Sequence, residues 1–204
     1  MPDVATTEVE YSGPPRRSRN LEEHLLVRFP ALFRRLSAFA QRRLTTPHSR
    51  LRRALLRRTN ISGWAAFSRR DFKLRRAFFA SEVESELPPG PQTLGLSGTF
   101  HGYDAMERAM NEWADSWGAS EFVPAYIIDL GDRLLLLGFF RARGKASGIE
   151  LEQEYAQLLT LRDGLATRDQ GWFQWEEGLR AAGLDSDAIA LPQRRKAGQV
   201  ASSS

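Results

Sequence analysis

The feature that most constrains the fold is a series of four long stretches, rich in β-branched and aromatic residues, in the second half of the chain. The stretches cover residues 122–130, 133–144, 150–162 and 165–175. Gly131-Asp132 and Asp163-Gly164 are two-residue turn signals typical of hairpins, and residues 144–148 form a longer loop bounded by glycines. The second half is therefore predicted to be a meander of long antiparallel strands.

The first half shows helical periodicity instead. Apolar residues recur at intervals of three and four between Leu21 and Ala40, which predicts one apolar helical face. Asn20 and Glu23 have the spacing of a capping box at its start, and Pro30 predicts a kink or the start of a second helix. Further helices are predicted over the ranges 49–58, 61–67 and 71–79.

Two more helices complete the prediction. Asp104 and Glu107 are predicted to cap a helix that Gly118 closes, and residues 176–183 are predicted to form a short final helix. The buried stripe of the first of these helices is predicted to be Ala105, Met106, Ala109, Met110, Trp113 and Trp117. Helices followed by an antiparallel meander indicate an α+β fold rather than a doubly wound parallel sheet.

Composition excludes several classes of protein. The chain has no cysteine, which excludes disulfides, thiolate catalysis, iron–sulfur ligation and zinc fingers. The longest apolar run, residues 134–140, is far shorter than a membrane span, and no secretory signal is visible. His24, His48 and His101 are too widely spaced for a metal motif, and no phosphate loop or serine elbow occurs. We therefore expect a cytoplasmic protein without a metal or cofactor.

Charge is divided unevenly along the chain. Residues 1–80 hold 18 Arg or Lys against 6 Asp or Glu, whereas residues 81–204 hold 11 against 19. Such asymmetry indicates a basic appendage on an acidic body. The predicted organisation is a disordered tail (1–19), a basic amphipathic helical extension (20–58), one globular domain (59–184) and a flexible C-terminal tail (185–204).

Several short motifs in the globular domain resemble those of SnoaL-like domains, polyketide cyclase relatives in the nuclear-transport-factor-2-like superfamily. Residues 65–72 (AAFSRRDF) resemble the "A-F-x-x-x-D-F" opening of these domains, and residues 99–105 resemble the turn into their third helix. The remaining matches are the hairpin at 129–133, the loop at 144–148, the turn at 159–164 and the end at 177–184. In this order the matches cover about residues 59–184.

The resemblance implies a cone: a strongly curved antiparallel sheet wrapped over N-terminal helices, with an apolar cavity at its open end and homodimers as the usual assembly. It leaves the activity open, because this superfamily includes cyclases, isomerases, dehydratases, epoxide hydrolases and non-catalytic binders. In its catalytic members an Asp or His on the later strands does acid–base work. Asp169 lies near that place, although Asp-Gln stands here where several relatives carry His-Trp.

Candidate site residues follow from strand alternation. Gln153, Tyr155 and Gln157 share one face of the third predicted strand with apolar residues, while the opposite face is charged and predicted to be solvated. Apolar walls with a few polar groups suit a ligand pocket, although a dimer interface or structural core polar groups explain them equally well. Aromatic residues predicted to form the core and line the cavity are Trp64, Phe67, Trp113, Trp117, Tyr126 and Trp172.

Three residues are candidates for acid–base catalysis: Asp169, His101 and Tyr155. A carboxylate in an apolar cone has its pKa raised by burial, which suits a general base. The alternative places Asp169 on the surface, paired with Arg168 or Arg143. For His101 the alternative is an ordinary turn residue beside a helix cap.

Two functions are therefore expected. One is binding of a small, mostly apolar ligand in the cone, with isomerase, cyclase or hydratase chemistry as its catalytic form. The other is a non-catalytic binding or dimerisation module whose basic arm contacts a partner, a membrane or a nucleic acid. For the arm itself, packing of its leucine and phenylalanine face on the domain or on a second subunit is the favoured expectation.

Overall fold

A computed structural model describes residues 4–9, 18–44, 49–87 and 97–185 of the 204-residue chain. Its helices are α1 (Leu21–Arg28), α2 (Pro30–Arg43), α3 (Arg50–Ser68), α4 (Phe72–Arg75), α5 (Tyr103–Asp115) and α6 (Trp175–Ala182), with a 3₁₀ turn at Arg76–Phe78. Its strands are β1 (Ala5–Glu8), β2 (Phe79–Leu87), β3 (Gly98–His101), β4 (Trp117–Asp129), β5 (Arg133–Gly144), β6 (Glu150–Arg162) and β7 (Leu165–Trp172). The loop predicted around Pro88 and the tail from residue 186 lie outside the described residues.

The strands form one seven-stranded sheet in the order β1-β4-β5-β6-β7-β2-β3. All neighbours are antiparallel except β2 and β7, which run parallel. The sheet is curved and unclosed, with the N-terminal helices against it. The α+β prediction and the meander β4–β7 are confirmed, and Asp163 and Gly164 form a tight turn with φ angles of 51° and 77°.

Part of the predicted disordered tail is ordered. Ala5–Glu8 pairs antiparallel with β4, so that Ala5 faces Asp129 and Glu8 faces Tyr126. Val9, just beyond the strand, is buried and its amide donates to the carbonyl of Ala125 at 2.8 Å. The prediction was wrong for this segment because an edge strand is held largely by main-chain hydrogen bonds, which composition does not reveal.

The predicted start of the first helices is confirmed. The Asn20 side chain accepts a hydrogen bond from the Glu23 amide at 2.8 Å, and the Glu23 carboxylate accepts one from the Asn20 amide at 3.0 Å. Pro30 occupies the first turn of α2, where its missing N–H costs nothing. The two helices predicted over 49–58 and 61–67 are one continuous helix, α3, which Ser49 caps.

Two details of α5 differ from the prediction. The helix ends at Asp115, and Trp117 begins β4 instead of extending the helical stripe. Gly102, with φ of 81°, occupies the N-cap, so Asp104 lies in the first turn and pairs with Arg76 instead of capping the helix. The backbone turn at Gly102 decides where the helix starts, because only glycine adopts this conformation without strain.

Apolar residues form two clusters, one on each side of the sheet. The inner cluster packs α3 and α5 against the concave face, whereas the outer cluster lies under α6. The outer face of β6 was predicted to be solvated, but Ala156 and Leu158 on it are buried in the outer cluster with Trp175 and Leu179 of α6. The charged end of the strand, near Glu150 and Glu152, remains exposed or half-buried.

The helical extension packs over the open side of the sheet. The Arg52 guanidinium and the Asp129 carboxylate form a buried pair at 2.5 Å, and the Gln41 side chain donates to the Leu161 carbonyl at 3.1 Å. Much of the apolar face of the extension is nevertheless not buried on the domain, although one half of the favoured expectation required this, and its packing on a second subunit stays a prediction. The large apolar side chains of the extension that remain between 36% and 79% exposed are those of Leu21, Leu25, Phe29, Leu32, Leu36, Phe39, Leu51, Leu55 and Ile61.

Candidate functional site

A cavity of about 630 Å³ lies between the concave face of β5–β7 and the helices α2, α3 and α4. Apolar side chains of the sheet form one wall, and Trp64 and Phe67 of α3 form part of the opposite wall. Further apolar lining residues are Phe33, Phe78, Phe79, Met110, Phe122, Leu134, Leu136, Leu159, Leu161 and Ala166. The size and the apolar character are those of a small-molecule site.

Polar groups meet at one end of this cavity. The Trp64 indole N–H donates to the Gln157 Oε1 at 3.4 Å, and the Gln157 Nε2 donates to the Asp169 Oδ1 at 2.8 Å. Gln157 therefore connects a residue of α3 with a residue of β7 across the cavity. Tyr155 lies on the same face of β6 and also lines the cavity.

A β-bulge in β7 turns Asp169 inward. Thr160 pairs with Arg168 and Leu161 pairs with Ala166, so Thr167 is an extra residue in β7. Ala166 and Asp169 are both buried, although strict alternation would place residues three apart on opposite faces. Arg168 points outward and pairs with Glu86 at 3.2 Å. The surface position expected for Asp169 in the alternative interpretation is therefore wrong: its exposed fraction is 0%.

Arg75 lies beside Asp169 and lines the cavity. Its side chain is buried, with the guanidinium carbon 5.2 Å from the ring centroids of both Phe67 and Phe79. Its Nη1 contacts the Met110 sulfur, and its Nη2 is 4.0 Å from the Asp169 Oδ2. The two opposite charges thus neutralise each other without a direct hydrogen bond, because 4.0 Å exceeds hydrogen-bonding distance.

Burial dominates the electrostatics of this cluster. It raises the pKa of Asp169, while the charge of Arg75 and the hydrogen bond from Gln157 oppose that rise only in part. Burial also raises the pKa of the Tyr155 hydroxyl, and the neighbouring Asp169 charge adds to the effect. Tyr155 therefore stays protonated and Asp169 holds its proton more tightly than a carboxyl in water.

One oxygen of Asp169 has no hydrogen bond. Oδ1 accepts from Gln157, whereas the buried Oδ2 has no hydrogen-bond partner in the part of the chain that the structure describes. The hydroxyl of Ser85, in register with Asp169 on β2, is likewise buried without a partner there. A buried carboxylate oxygen without a hydrogen bond costs free energy. The Asp169 Oδ2 is therefore a candidate for proton exchange.

The structure brings together four of the predicted site residues. Tyr155, Gln157, Trp64 and Phe67 line the cavity. Asp169 contacts this group through Gln157 and Arg75 but is not itself a lining residue. Strand alternation placed Tyr155 and Gln157 on the face of β6 that lines the cavity, whereas it left both a buried and a surface position open for Asp169.

Other predicted residues lie elsewhere. The Gln153 amide donates to the Phe173 carbonyl at 2.6 Å, outside the cavity, and His101 is exposed at the end of β3. Trp113 and Trp117 pack with Phe140 in the inner cluster without lining the cavity. Tyr126 and Trp172 belong to the outer cluster, on the opposite side of the sheet. Trp113 lies on α5, and a register shift between Pro124 and Tyr126 interrupts the alternation of β4.

Arg75 is the functional candidate that sequence reasoning missed. It stands in a segment rich in basic residues, where Lys73 and Arg76 are ordinary surface cations. The available signal was local: Asp71 caps α4, and the short helix that follows buries Leu74 and Arg75 together. Arg75 lies three residues after the buried Phe72, so helical spacing places both side chains on the inward face of α4.

Neither a metal-binding cluster nor a membrane-spanning helix occurs in the described ranges. Among residues 4–9, 18–44, 49–87 and 97–185, no group of three or more His, Asp or Glu side chains is arranged to hold a metal ion. No helix in these ranges has the length and apolar character required to cross a bilayer. His48 lies outside the described residues.

Comparisons with known proteins agree with this geometry. The sequence model of the family of SnoaL-like domains matches residues 63–169, slightly more than half of the chain. No curated protein sequence matches this chain significantly. The matched range runs from α3 to Asp169 in β7, so it contains the cavity wall, the α4 turn with Arg75 and the hairpins of the meander.

Solved structures show the same fold. TerC, co-crystallised with polyporic acid, is 24% identical with a TM-score of 0.52, covering 59% of this chain and 92% of its own. An NTF2-like protein of unknown function from Burkholderia pseudomallei is 26% identical with a TM-score of 0.51, covering 60% and 93%. A protein of ketosteroid isomerase-like fold from Catenulispora acidiphila, in complex with trimethylamine, is 16% identical with a TM-score of 0.50, covering 63% and 95%.

The family model covers the chain from the end of α3 into β7, and the solved structures show the same fold. On this evidence, the chain belongs to the family of SnoaL-like domains.

Proposed function

We propose that this domain binds a small, mostly apolar ligand in its cavity and that the ligand places a carbonyl or acidic oxygen against Arg75. The observation that carries the proposal is the guanidinium itself, which lines a cavity whose other walls are mainly apolar. A guanidinium has five N–H donors. Among the described residues, those of Arg75 contact the Met110 sulfur, and the Asp169 Oδ2 lies 4.0 Å away, beyond hydrogen-bonding distance. A ligand oxygen would satisfy donors that these contacts leave available.

The size of the cavity limits the ligand. A volume of about 630 Å³ suits a compound of a few fused rings, and apolar walls favour an aromatic or alicyclic skeleton. TerC, a protein of the same fold, was co-crystallised with polyporic acid. A ligand that is an acid agrees with an acidic oxygen placed against Arg75, which is the class we propose here.

The catalytic form of the proposal is acid–base chemistry of the isomerase, cyclase or hydratase type. Arg75 would stabilise the charge that develops on a carbonyl oxygen when a neighbouring C–H loses its proton, and Asp169 would accept that proton on Oδ2. Tyr155 would serve as a hydrogen-bond donor because its pKa is raised. Asp169 lies behind the lining residues, so this role requires a ligand that displaces the Gln157 side chain while Arg75 stays in place.

A specific observation supports the second candidate, a domain that binds without catalysis. Asp169 has no exposed surface, and its carboxylate already balances the charge of Arg75. In that function Asp169 positions Arg75, and no proton leaves the ligand. The two candidates share the ligand and differ only in the fate of its acidic C–H.

A matched pair of probes tests the binding step. We expect 2-hydroxy-1,4-naphthoquinone, which carries an acidic oxygen, to raise the melting temperature of the full chain more than 1,4-naphthoquinone does. The double variant Arg75→Met/Asp169→Asn, which removes both charges, should abolish this preference, whereas His101→Gln, outside the cavity, should retain it. Equal stabilisation by both probes in the wild type would contradict the assignment of Arg75.

Hydrogen exchange separates the two candidates. NMR in deuterated water follows the exchange of the acidic C–H proton of a bound β-diketone for deuterium. The measurement is made with the wild-type protein and with Asp169→Asn. Catalysis predicts exchange that is faster with the wild type than with the variant or with buffer. Binding with no acceleration of exchange would assign the domain to the non-catalytic candidate.

A further inference from the structure

The exposed apolar residues of this protein are concentrated on α1–α3. Of the large apolar side chains that are at least 36% exposed, nine lie between Leu21 and Ile61, and only Ile149 lies elsewhere in the described residues. Leu21, Leu32, Leu36, Phe39 and Leu51 are each more than half exposed. An apolar patch of this kind on a folded domain marks an interaction surface.

The same helices carry an unusual charge. Residues 24–70 contain 12 arginines and no Asp or Glu. Five of these arginines form ion pairs with carboxylates of the described residues: Arg42, Arg52, Arg58, Arg69 and Arg70. Others, including Arg35, Arg50 and Arg57, are exposed and form no ion pair within the described ranges. We call the exposed apolar and arginine side chains of α1–α3 the arginine–leucine face.

The arginine–leucine face surrounds the mouth of the cavity. Leu36 and Phe39 of α2 and Leu51 and Leu55 of α3 are exposed to solvent and also line the cavity. The side chain of Arg43 is beside them, with its guanidinium carbon 5.7 Å from the ring centroid of Phe39. Apolar surface is therefore continuous from the interior, through the gap between α2 and α3, to the outside.

We infer that the arginine–leucine face docks on an anionic lipid surface, with the mouth of the cavity against the lipid. Leucine and phenylalanine side chains enter the boundary between headgroups and acyl chains, and arginines bind the anionic headgroups. The strength of such binding scales with the buried apolar area plus the attraction to anionic lipids, and this face supplies both. An apolar ligand then passes between bilayer and cavity without crossing water. This last step rests on the proposed function, but the docking itself does not.

Charge and apolar exposure together favour an anionic lipid surface over a second copy of the chain or a nucleic acid. A second copy related by a twofold axis would bring this face against itself and oppose many arginines to arginines, with Glu22 as the one partly exposed carboxylate of α1–α3, which is repulsive. A nucleic acid would neutralise the arginines but would leave Leu32, Leu36 and Phe39 exposed to water. Anionic lipid satisfies both the charged and the apolar side chains.

Vesicle flotation with the full chain tests the inference. The probes are vesicles of phosphatidylcholine alone and vesicles with about 40% phosphatidylglycerol, at about 0.1 M and 0.5 M salt. We expect binding to the anionic vesicles that weakens at the higher salt. Arg50→Gln/Arg57→Gln should weaken binding roughly thirtyfold, and Leu36→Ser/Phe39→Ser should weaken it at least roughly tenfold.

The matched controls carry equivalent changes elsewhere on the surface. Ile149→Ser removes an equally exposed apolar residue, and Arg108→Gln/Arg180→Gln removes two exposed arginines from α5 and α6. Both should bind like the wild type. All substituted side chains are exposed, so thermal melting should show that every variant folds.

A fluorescence measurement tests whether the mouth of the cavity faces the lipid. The chain has no cysteine, so Leu55→Cys provides a single site for an environment-sensitive fluorophore, and Ile149→Cys provides the control. We expect a blue shift on anionic vesicles for the label at position 55 and none at position 149. A shift at both positions, or at neither, would contradict docking through the mouth.

Three further outcomes would overturn the inference. One is failure of the wild-type chain to float with anionic vesicles. Another is a folded dimer that Leu36→Ser/Phe39→Ser converts to a monomer, which would assign the face to a second copy. The third is binding to DNA or RNA that the arginine variants lose and the leucine variant retains. None of these outcomes affects the naphthoquinone test, so failure of docking and failure of the proposed function are distinguishable.

Discussion

The Nη2 of Arg75 and the Oδ2 of Asp169 lie 4.0 Å apart, both buried and not joined by a hydrogen bond. Arg75 comes from a four-residue helix near the start of the domain, and Asp169 comes from the last strand. The pair forms a charged centre in an otherwise apolar inner cluster. Its electrostatics determine several properties that can be measured.

The first prediction concerns the pH dependence of stability. Burial raises the folded-state pKa of Asp169 above its ordinary value, so the folded protein binds this proton more tightly than the unfolded chain. That contribution is present at low pH and is lost as the pH rises through the folded-state pKa. Asp169→Asn removes it. We expect the free energy of unfolding of the variant, relative to wild type, to increase between pH 4 and pH 8, measured by urea denaturation. A constant difference would contradict the raised pKa.

The second prediction concerns the charge pair itself. Arg75→Met leaves the Asp169 carboxylate buried without its counter-charge, and we expect a loss of about 3–5 kcal/mol at neutral pH. Adding Asp169→Asn should recover part of this loss because no charge then remains buried. The control is Arg76→Met, which removes surface ion pairs with Asp104 and Glu107. It should lower the free energy of unfolding by less than about 1 kcal/mol. A double variant less stable than Arg75→Met would exclude charge compensation.

The third prediction concerns the attachment of the helical extension. Arg52 donates two hydrogen bonds to Asp129, at 2.5 and 2.8 Å, and one to the Leu44 carbonyl at 2.7 Å. Arg52→Met leaves Asp129 buried and unpaired, so we expect a loss of about 3–5 kcal/mol and faster proteolysis within the extension. Arg57→Met, exposed on the same helix, should change the unfolding free energy by less than about 0.5 kcal/mol. Similar losses in both variants would contradict this role of the buried pair.

The fourth prediction separates backbone conformation from helix docking. Gly164 has φ of 77°, and an added Cβ there would collide with Ser37 of α2. Gly131 has φ of 88°, and an added Cβ would meet nothing within 4 Å. Gly131→Ala should therefore cost only about 1 kcal/mol for the strained conformation. Gly164→Ala should cost about 1–3 kcal/mol more, because α2 must shift. Equal losses in thermal or urea unfolding would show that α2 does not rest on this turn.

Periodicity and turn chemistry in the sequence determined the α+β class and the meander, whereas the curved cone was implied by the family resemblance. Turn residues at 131–132 and 163–164, together with the alternating stretches beside them, are sufficient for the meander β4–β7, because hairpin geometry depends on local backbone preferences. The Asn20–Glu23 box and Pro30 likewise mark helix starts through local hydrogen bonding. Strand alternation places Tyr155 and Gln157 on one face of β6, and both residues line the cavity.

Only the tertiary structure decided which groups meet in the site. The bulge at Thr167 turns Asp169 into the interior, and its register shift depends on pairing between β6 and β7, so no pattern within β7 reveals it. Arg75 reaches Asp169 because α4 and β7 meet across the inner cluster, a contact between residues 94 positions apart in the sequence. β1 is ordered because β4 offers it an unpaired edge. Local sequence fixes the conformation of each segment, whereas burial, charge pairing and edge pairing arise between segments that are distant along the chain.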